Sequence, residues 1–282
     1  VHIGKCLAHG NSSVFFSATL LPIRYYRQLL SNDEEDYTVY VNSPFSQEHR
    51  LLLAAADVTS RYTRRNRTEY RKILDYIRQA AEARKGNYIV FFPSYQYMNH
   101  VLELLYDGRI GRPDFADGSD AQKLYLQDSG IDWLVQENRM TDAQREDFLK
   151  EFEQERENSL VACCVMGGLF SEGIDLKEER LIGAIIVGTG LPMVCTEILK
   201  GYFDEEEQEG FAFAYQYPGM NKVMQAAGRV IRTAGDKGII LLLDDRFLRN
   251  DYRELFPREW DDCRRVTLKT VRQELENFWN RL

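Results

Sequence analysis

Five short runs of consecutive apolar residues restrict this chain more than any other feature: Val14–Phe16, Tyr88–Phe92, Leu160–Met166, Leu181–Val187 and Ile239–Leu243. Strands with one solvated face alternate apolar and polar residues, whereas strands covered on both faces read as unbroken apolar runs. Helical patterns lie between most of the runs: Tyr25–Leu30 after Pro22, Thr68–Arg84 with Ile73, Leu74 and Ile77, Tyr95–Tyr106, and Ala143–Phe152. The last of these follows a capping pair, Thr141 three residues before Gln144. Strand and helix in alternation predict an α/β fold, a doubly wound, mostly parallel sheet flanked by helices. The runs empty into Ser17-Ala18-Thr19, Pro93-Ser94, Gly167-Gly168, Gly188-Thr189-Gly190 and Asp244-Asp245. Open α/β sheets bind ligands at the carboxyl ends of their strands, so one sheet edge is expected to carry the function.

Charge and cysteine usage narrow the classes. Hydrophobic content of 44% and charged content of 28% describe an ordinary globular chain. No apolar run is long enough to span a bilayer, no signal-peptide pattern opens the chain, and no membrane partner is expected. The first residue is Val1 rather than Met, which suggests a piece of a longer protein. A net charge of −8 weighs against nucleic acid, because phosphate binding usually leaves a basic footprint. Yet the acids gather in Asp33–Asp36, Glu146–Glu157 and Asp204–Glu209, while Arg61–Lys72 carries six basic residues against Glu69 alone. That basic segment is read equally as a solvated helix face or a phosphate-tracking patch. Five cysteines without a CxxC pair and four histidines without ligand spacing give no metal site and suggest a reducing, cytoplasmic setting. Adjacent Cys163 and Cys164 read as buried thiols. Asp107–Ser129 reads as a long loop or insertion, and Arg249–Leu282 as an extension ending in a helix from about Thr270.

The segment Gln225-Ala-Ala-Gly-Arg-Val-Ile-Arg232 carries the sharpest chemistry. Wound as a helix, it sets Gln225, Gly228, Arg229 and Arg232 on one face and Val223, Met224, Ala227, Val230 and Ile231 on the other. Two guanidiniums and an amide then face outward, and the planar arginine fork suits phosphate oxygens. An anion-facing surface is expected, turned toward the terminal phosphates of a nucleotide.

Together, Ser17-Ala-Thr-Leu20, Gly168-Leu-Phe-Ser-Glu-Gly-Ile-Asp175 and Gln225–Arg232 resemble motifs III, V and VI of superfamily 2 helicases. Ile89–Ser94 is similar to motif IV of the DinG/XPD branch, as are the Ser-Glu-Gly-Ile-Asp form, Asp236-x-Gly238 and Asp245-Arg-Phe247. The resemblance spans roughly residues 14 to 250, in the expected order. It implies the second RecA-like motor domain of an ATP-dependent DNA helicase over 21–282, with an insertion at about 107–130 and a C-terminal extension at about 249–282. Residues 1–20 would carry motif III as a segment from the first motor domain or hinge.

The same resemblance implies roles for named residues. ATP would sit between this domain and the chain's own N-terminal motor domain, with Arg229 and Arg232 reaching the γ-phosphate. Gln225 would position the nucleotide or its attacking water, and Asp175 would meet the ribose or the metal's water shell beside Gly173. Ser17 and Thr19 would couple nucleotide state to the strand, and Ser94, Tyr95 and Ser171 would lie along the backbone of single-stranded DNA. The implied polarity is 5′ to 3′. No phosphate loop ending in Gly-Lys-Ser or Gly-Lys-Thr occurs, and Asp33–Asp36 follows no apolar strand. ATP and Mg²⁺ would therefore be bound mainly by the first motor domain, and this chain alone is expected not to turn over ATP. An iron–sulfur cluster, held by four cysteines in some relatives, would belong to that first domain as well.

Other readings remain beside it. An RNA helicase or remodelling ATPase shares the fold, and a non-catalytic nucleic-acid-binding α/β module would need no nucleotide. A Rossmann oxidoreductase lacks its GxGxxG fingerprint here. Asp244 and Asp245 are expected to orient Arg246 or cap a turn, Gly188-Thr-Gly190-Leu-Pro192 to form a tight turn, and one of Tyr95 and Tyr97 to be core.

Overall fold

The computed structural model describes residues 2–7, 9–31, 33, 35–105, 126–128, 130–168, 170, 181–191 and 210–281. Among these, eight strands form one sheet: β1 (Arg50–Ala55), β2 (Asn87–Phe92), β3 (Leu126–Asp128), β4 (Ile131–Val135), β5 (Ser159–Val165), β6 (Gly183–Val187), β7 (Gly238–Leu243) and β8 (Arg264–Val266). Their order is β3-β4-β5-β2-β6-β7-β1-β8. All neighbours pair in parallel except the edge strand β3, which runs antiparallel to β4. The described helices are α1 (His2–Leu7), α2 (Ile23–Leu30), α3 (Arg67–Ala83), α4 (Tyr95–Leu102), α5 (Asp142–Lys150), α6 (Tyr217–Ala227), α7 (Asn250–Arg253) and α8 (Val271–Trp279).

Successive strand side chains point to opposite faces, so each continuous run feeds two cores. Val90, Cys163, Ile185 and Leu241 enter the layer formed with Ile73 and Ile77 of α3, Val101 of α4 and Leu275 of α8. Phe91, Cys164, Ile186 and Leu242 enter the opposite layer with Phe148 of α5 and Val223 and Met224 of α6. The mostly parallel, doubly wound sheet is as expected. So is the capping box at α5, where Thr141 accepts from Gln144 N–H while the Gln144 side chain accepts from Thr141 N–H.

Four of the five apolar runs are strands; Val14–Phe16 is not. It runs as exposed, irregular chain, with Val14 84% and Phe16 90% accessible, and pairs with no strand among the described residues. Strand β1 was hidden because Leu51-Leu-Leu-Ala-Ala favours helix by local propensity. Its place between β7 and β8 overrides that preference. Of the expected loop Asp107–Ser129, Leu126–Asp128 is β3, and residues 107–125 and 129 lie outside the described set.

Candidate functional site

The helix expected over Gln225–Arg232 is corrected by the structure: α6 ends at Ala227, and Gly228 N–H closes it on Met224 O at 2.9 Å. Two contacts account for the early stop. A Cβ on Gly238 would come within 2.2 Å of Val230 Cγ1, so Val230 fills space that only glycine leaves open. Asp236, 7% exposed, accepts the backbone N–H groups of Arg232 and Thr233 and the Thr233 hydroxyl, each at 2.7 Å. These bonds replace the helical ones. Gln225 thus stands on the last turn of α6, Arg229 in the turn after it and Arg232 on a loop fixed by a buried carboxylate. All three side chains are half-buried.

Lys222, one turn before Gln225, was missed by the sequence reading although its i, i+3 spacing to Gln225 was visible. Its aliphatic stem crosses the turn after β5: a Cβ on Gly167 would lie 3.3 Å from Lys222 Cδ and Cε. The turn after β6 meets the same helix. Gly190 has φ +68°, and a Cβ there would lie 2.4 Å from the Gly219 carbonyl oxygen near the start of α6. The tight turn at Gly188–Gly190 is as expected, with both glycines at positive φ. Ser171, Gly173 and Asp175 lie outside the described residues. Their flank is anchored, since Phe170 is buried and stacks on Phe148 of α5 at 4.3 Å.

The turn carrying Ser17 and Thr19 also reaches α6. Thr19 N–H donates to Ser17 Oγ at 3.2 Å; Ser17 is exposed and Thr19 half-buried. Behind them α2 docks through Tyr25, whose ring meets Phe213 and Tyr217 edge-on at 5.3 Å, and through Arg24, which donates to Tyr217 Oη at 2.8 Å. With its amide oxygen accepting from Tyr26, Asn221 donates to Thr19 O at 2.7 Å and Leu21 O at 3.2 Å. Asn221 lies one helical turn before Gln225.

At the exits of β2, β4 and β5 a second grouping forms. Ser94 caps α4 by accepting Tyr97 N–H at 3.2 Å. Tyr97 is the core member of the tyrosine pair, at 1% exposure, and Tyr95 is half-buried. Buried Gln136, also missed from sequence, accepts Val165 N–H at 2.9 Å and donates to Tyr95 Oη at 2.7 Å. Tyr95, Gln136, Arg139, Thr141, Arg145 and Gly168 line a cleft of about 820 Å³. Arg139 and the N-terminus of α5 line it together with Arg145, whose guanidinium donates to Asp142 at 3.0 Å; helix N-termini and arginines suit anions.

Asp244, at the exit of β7, orients Arg246 as expected. Arg246 Nε and an Nη donate to its two oxygens at 2.8 Å, and Ser60 N–H and Oγ–H donate at 2.8 and 2.7 Å. Burial pushes this carboxyl upward, but Arg246 and Ser60 outweigh burial and hold it below the usual carboxylate range. Among the described residues no group of three or more His, Cys, Asp or Glu comes together as a metal site, and no helix is long and apolar enough to cross a membrane.

The mostly parallel sheet with helices packed on both faces is of the RecA-like kind, with cationic and amide side chains at several of its strand exits. Over residues 77–263 the sequence matches the family model described as the helicase C-terminal domain, and the chain belongs to that family. It is 24% identical over 261 residues to the 3'-5' exonuclease DinG of Staphylococcus saprophyticus, covering 90% of this chain and 26% of that protein. It is 26% identical over 202 residues to the ATP-dependent DNA helicase XPD of Sulfolobus acidocaldarius, covering 68% of this chain and 30% of that protein. A solved apo XPD structure superposes with a TM-score of 0.64 at 21% identity, over 89% of this chain and 47% of that one. That likeness is one of fold. The chain thus spans 26% and 30% of the lengths of these two curated relatives. The resemblance to the DinG/XPD branch read from the motifs is borne out.

Proposed function

We propose that this chain is the C-terminal motor domain of an ATP-dependent DNA helicase of the DinG/XPD kind, completing an ATP site whose other half lies on a first motor domain. The observation that carries the reading is the junction of α6 with the exits of β5 and β6. There Lys222 and Gln225 share a helix face, and the loop that follows is pinned by Asp236. A cationic and amide-bearing donor set fits the triphosphate of ATP. Magnesium, and any iron–sulfur cluster, are assigned to the first domain.

Arg229 and Arg232 stabilise charge that builds on the γ-phosphate, Gln225 holds the nucleotide or its attacking water, and Asp175 is assigned to the ribose or the metal's water shell, with Gly173 allowing the backbone to approach. Single-stranded DNA passes over Ser94, Tyr95 and Ser171 and along the cleft with Arg139 and Arg145, held by its backbone without reading sequence. Asn221, bonded to Thr19 O one turn before Gln225, carries nucleotide state to the turn of Ser17 and Thr19. The exposed Val14–Phe16 run suits a strand partner on the first motor domain. The direction of travel is 5′ to 3′.

The test uses the protein extended to include its ATP-binding first domain. Arg232→Ala is expected to lower DNA-stimulated ATP hydrolysis by about 10³-fold or more, the scale of an arginine finger, while nucleotide still binds. Wild-type rates would remove Arg232 from this role. Stimulation by RNA but not by single-stranded DNA would move the substrate to RNA.

A further inference from the structure

The loop 57–66, which leaves β1 at the functional edge, is anchored underneath and bare on top. Beneath, Asp57 accepts from Tyr76 Oη and, at 3.2 Å, from Leu268 N–H. Glu69, 3% exposed, accepts Thr59 N–H at 3.2 Å and pairs with Arg64 at 3.0 Å and Lys72 at 3.1 Å. Ser60 is bound by Asp244. On top, Tyr62 is 84% exposed, and the side chains of Arg61 and Arg64 beside it are 41% and 60% exposed. Ordering such a loop costs conformational entropy, yet the tyrosine at its tip adds almost nothing to either core.

The loop also touches α4. The Arg65 guanidinium lies 5.5 Å from the Tyr62 ring centroid and 5.1 Å from that of Tyr97, joining the loop to α4, whose first residue is Tyr95. Residues 61–67 hold four arginines and no acid, in a chain of net charge −8. Arg61 meets Asp245 at 3.6 Å with both side chains about two-fifths exposed, a pair of little net worth that phosphate can displace.

We propose that Tyr62 is a stacking platform for a base of single-stranded DNA, with Arg61 and Arg64 on the neighbouring phosphates. This extends the strand path beyond the Tyr95 cleft and rests on the strand-gripping role given above to that cleft. Base-on-aromatic stacking tolerates any sequence, and arginine adds both charge and cation–π contact.

The experiment measures binding of fluorescein-labelled oligo(dT) to this chain by anisotropy over a series of salt concentrations. Tyr62→Ala is expected to weaken binding by about 5- to 150-fold, and Tyr62→Phe to retain it, because the ring face is kept. The Arg61→Gln/Arg64→Gln pair should flatten the slope of log K against log salt by about 1.4, two single-strand phosphate contacts. Melting temperatures should match the unsubstituted chain for Tyr62→Ala, since its side chain is exposed. Tyr62→Ala binding like the unsubstituted chain, while Arg139→Ala/Arg145→Ala weakens it, would overturn the platform and leave the cleft standing. Equal losses on single-stranded and duplex probes would also overturn stacking. No binding by the unsubstituted chain at low salt would reject strand gripping itself, and Tyr62 with it.

Discussion

Arg246→Ala isolates the buried carboxylate at the exit of β7. The Asp244 side chain is fully buried, Arg246 is 13% exposed, and their oxygens and nitrogens meet at 2.8 Å. Deleting one partner of a buried pair leaves an uncompensated charge and costs about 3–5 kcal/mol. Ser60 still donates twice, which places the loss near about 3 kcal/mol. For a domain of this size that corresponds to a fall in melting temperature of about 6–12 °C.

The loss has a pH signature. In the unsubstituted protein the carboxyl lies below its unfolded value. Its stabilisation is therefore complete above the unfolded pKa of about 4 and is lost as pH falls through the lower folded value. Without Arg246, burial dominates and the carboxyl rises above that value. The variant's penalty is then largest at neutral pH and shrinks once the acid is protonated. Calorimetry should show a wide gap at about pH 7.5 and a narrower one at about pH 4.5. A variant melting within about 1 °C of wild type at neutral pH, or a gap independent of pH, would refute the reasoning.

Asp236→Ala removes three bonds of 2.7 Å to a charged acceptor and should cost at least about 1.5–3 kcal/mol, the scale of one such bond. Amide exchange should quicken at Arg232 and Thr233; unchanged exchange there would mean the loop is held by something else. Gly190→Ala forces a side chain into φ +68° and to 2.4 Å from Gly219 O. A loss of more than about 2 kcal/mol is expected from strain alone, and denaturant unfolding at the wild-type midpoint would contradict it. Thr141→Ala should cost about 1 kcal/mol by removing the cap of α5, with Thr141→Ser restoring most of it; urea melts of the two variants compare them directly.

The central strands were legible because β2, β5, β6 and β7 are covered on both faces and needed apolar residues at every position. Strand β1 meets the same demand with leucine and alanine, which also build helices, so only its neighbours decide its conformation. Val14–Phe16 carries the apolar signal of a strand without a sheet neighbour among the described residues, and periodicity cannot see a missing partner. Around the site, the residue types of Gln225, Arg229 and Arg232 were readable, but their geometry was not. A glycine inside an apolar pattern is compatible with a helix, and the stop at Ala227 is imposed by Gly238 and Asp236 from further along the chain. Gln136 left no trace in sequence because its role depends on the meeting of three strand exits. Lys222 did leave one, at helical spacing from Gln225.

Where Gly190 faces Gly219, two main chains touch with no side chain between them. Most helix–sheet seams are cushioned by rotamers that absorb small displacements. At this one point there is none, so the first turn of α6 cannot move against the β6 exit unless the main chain itself moves.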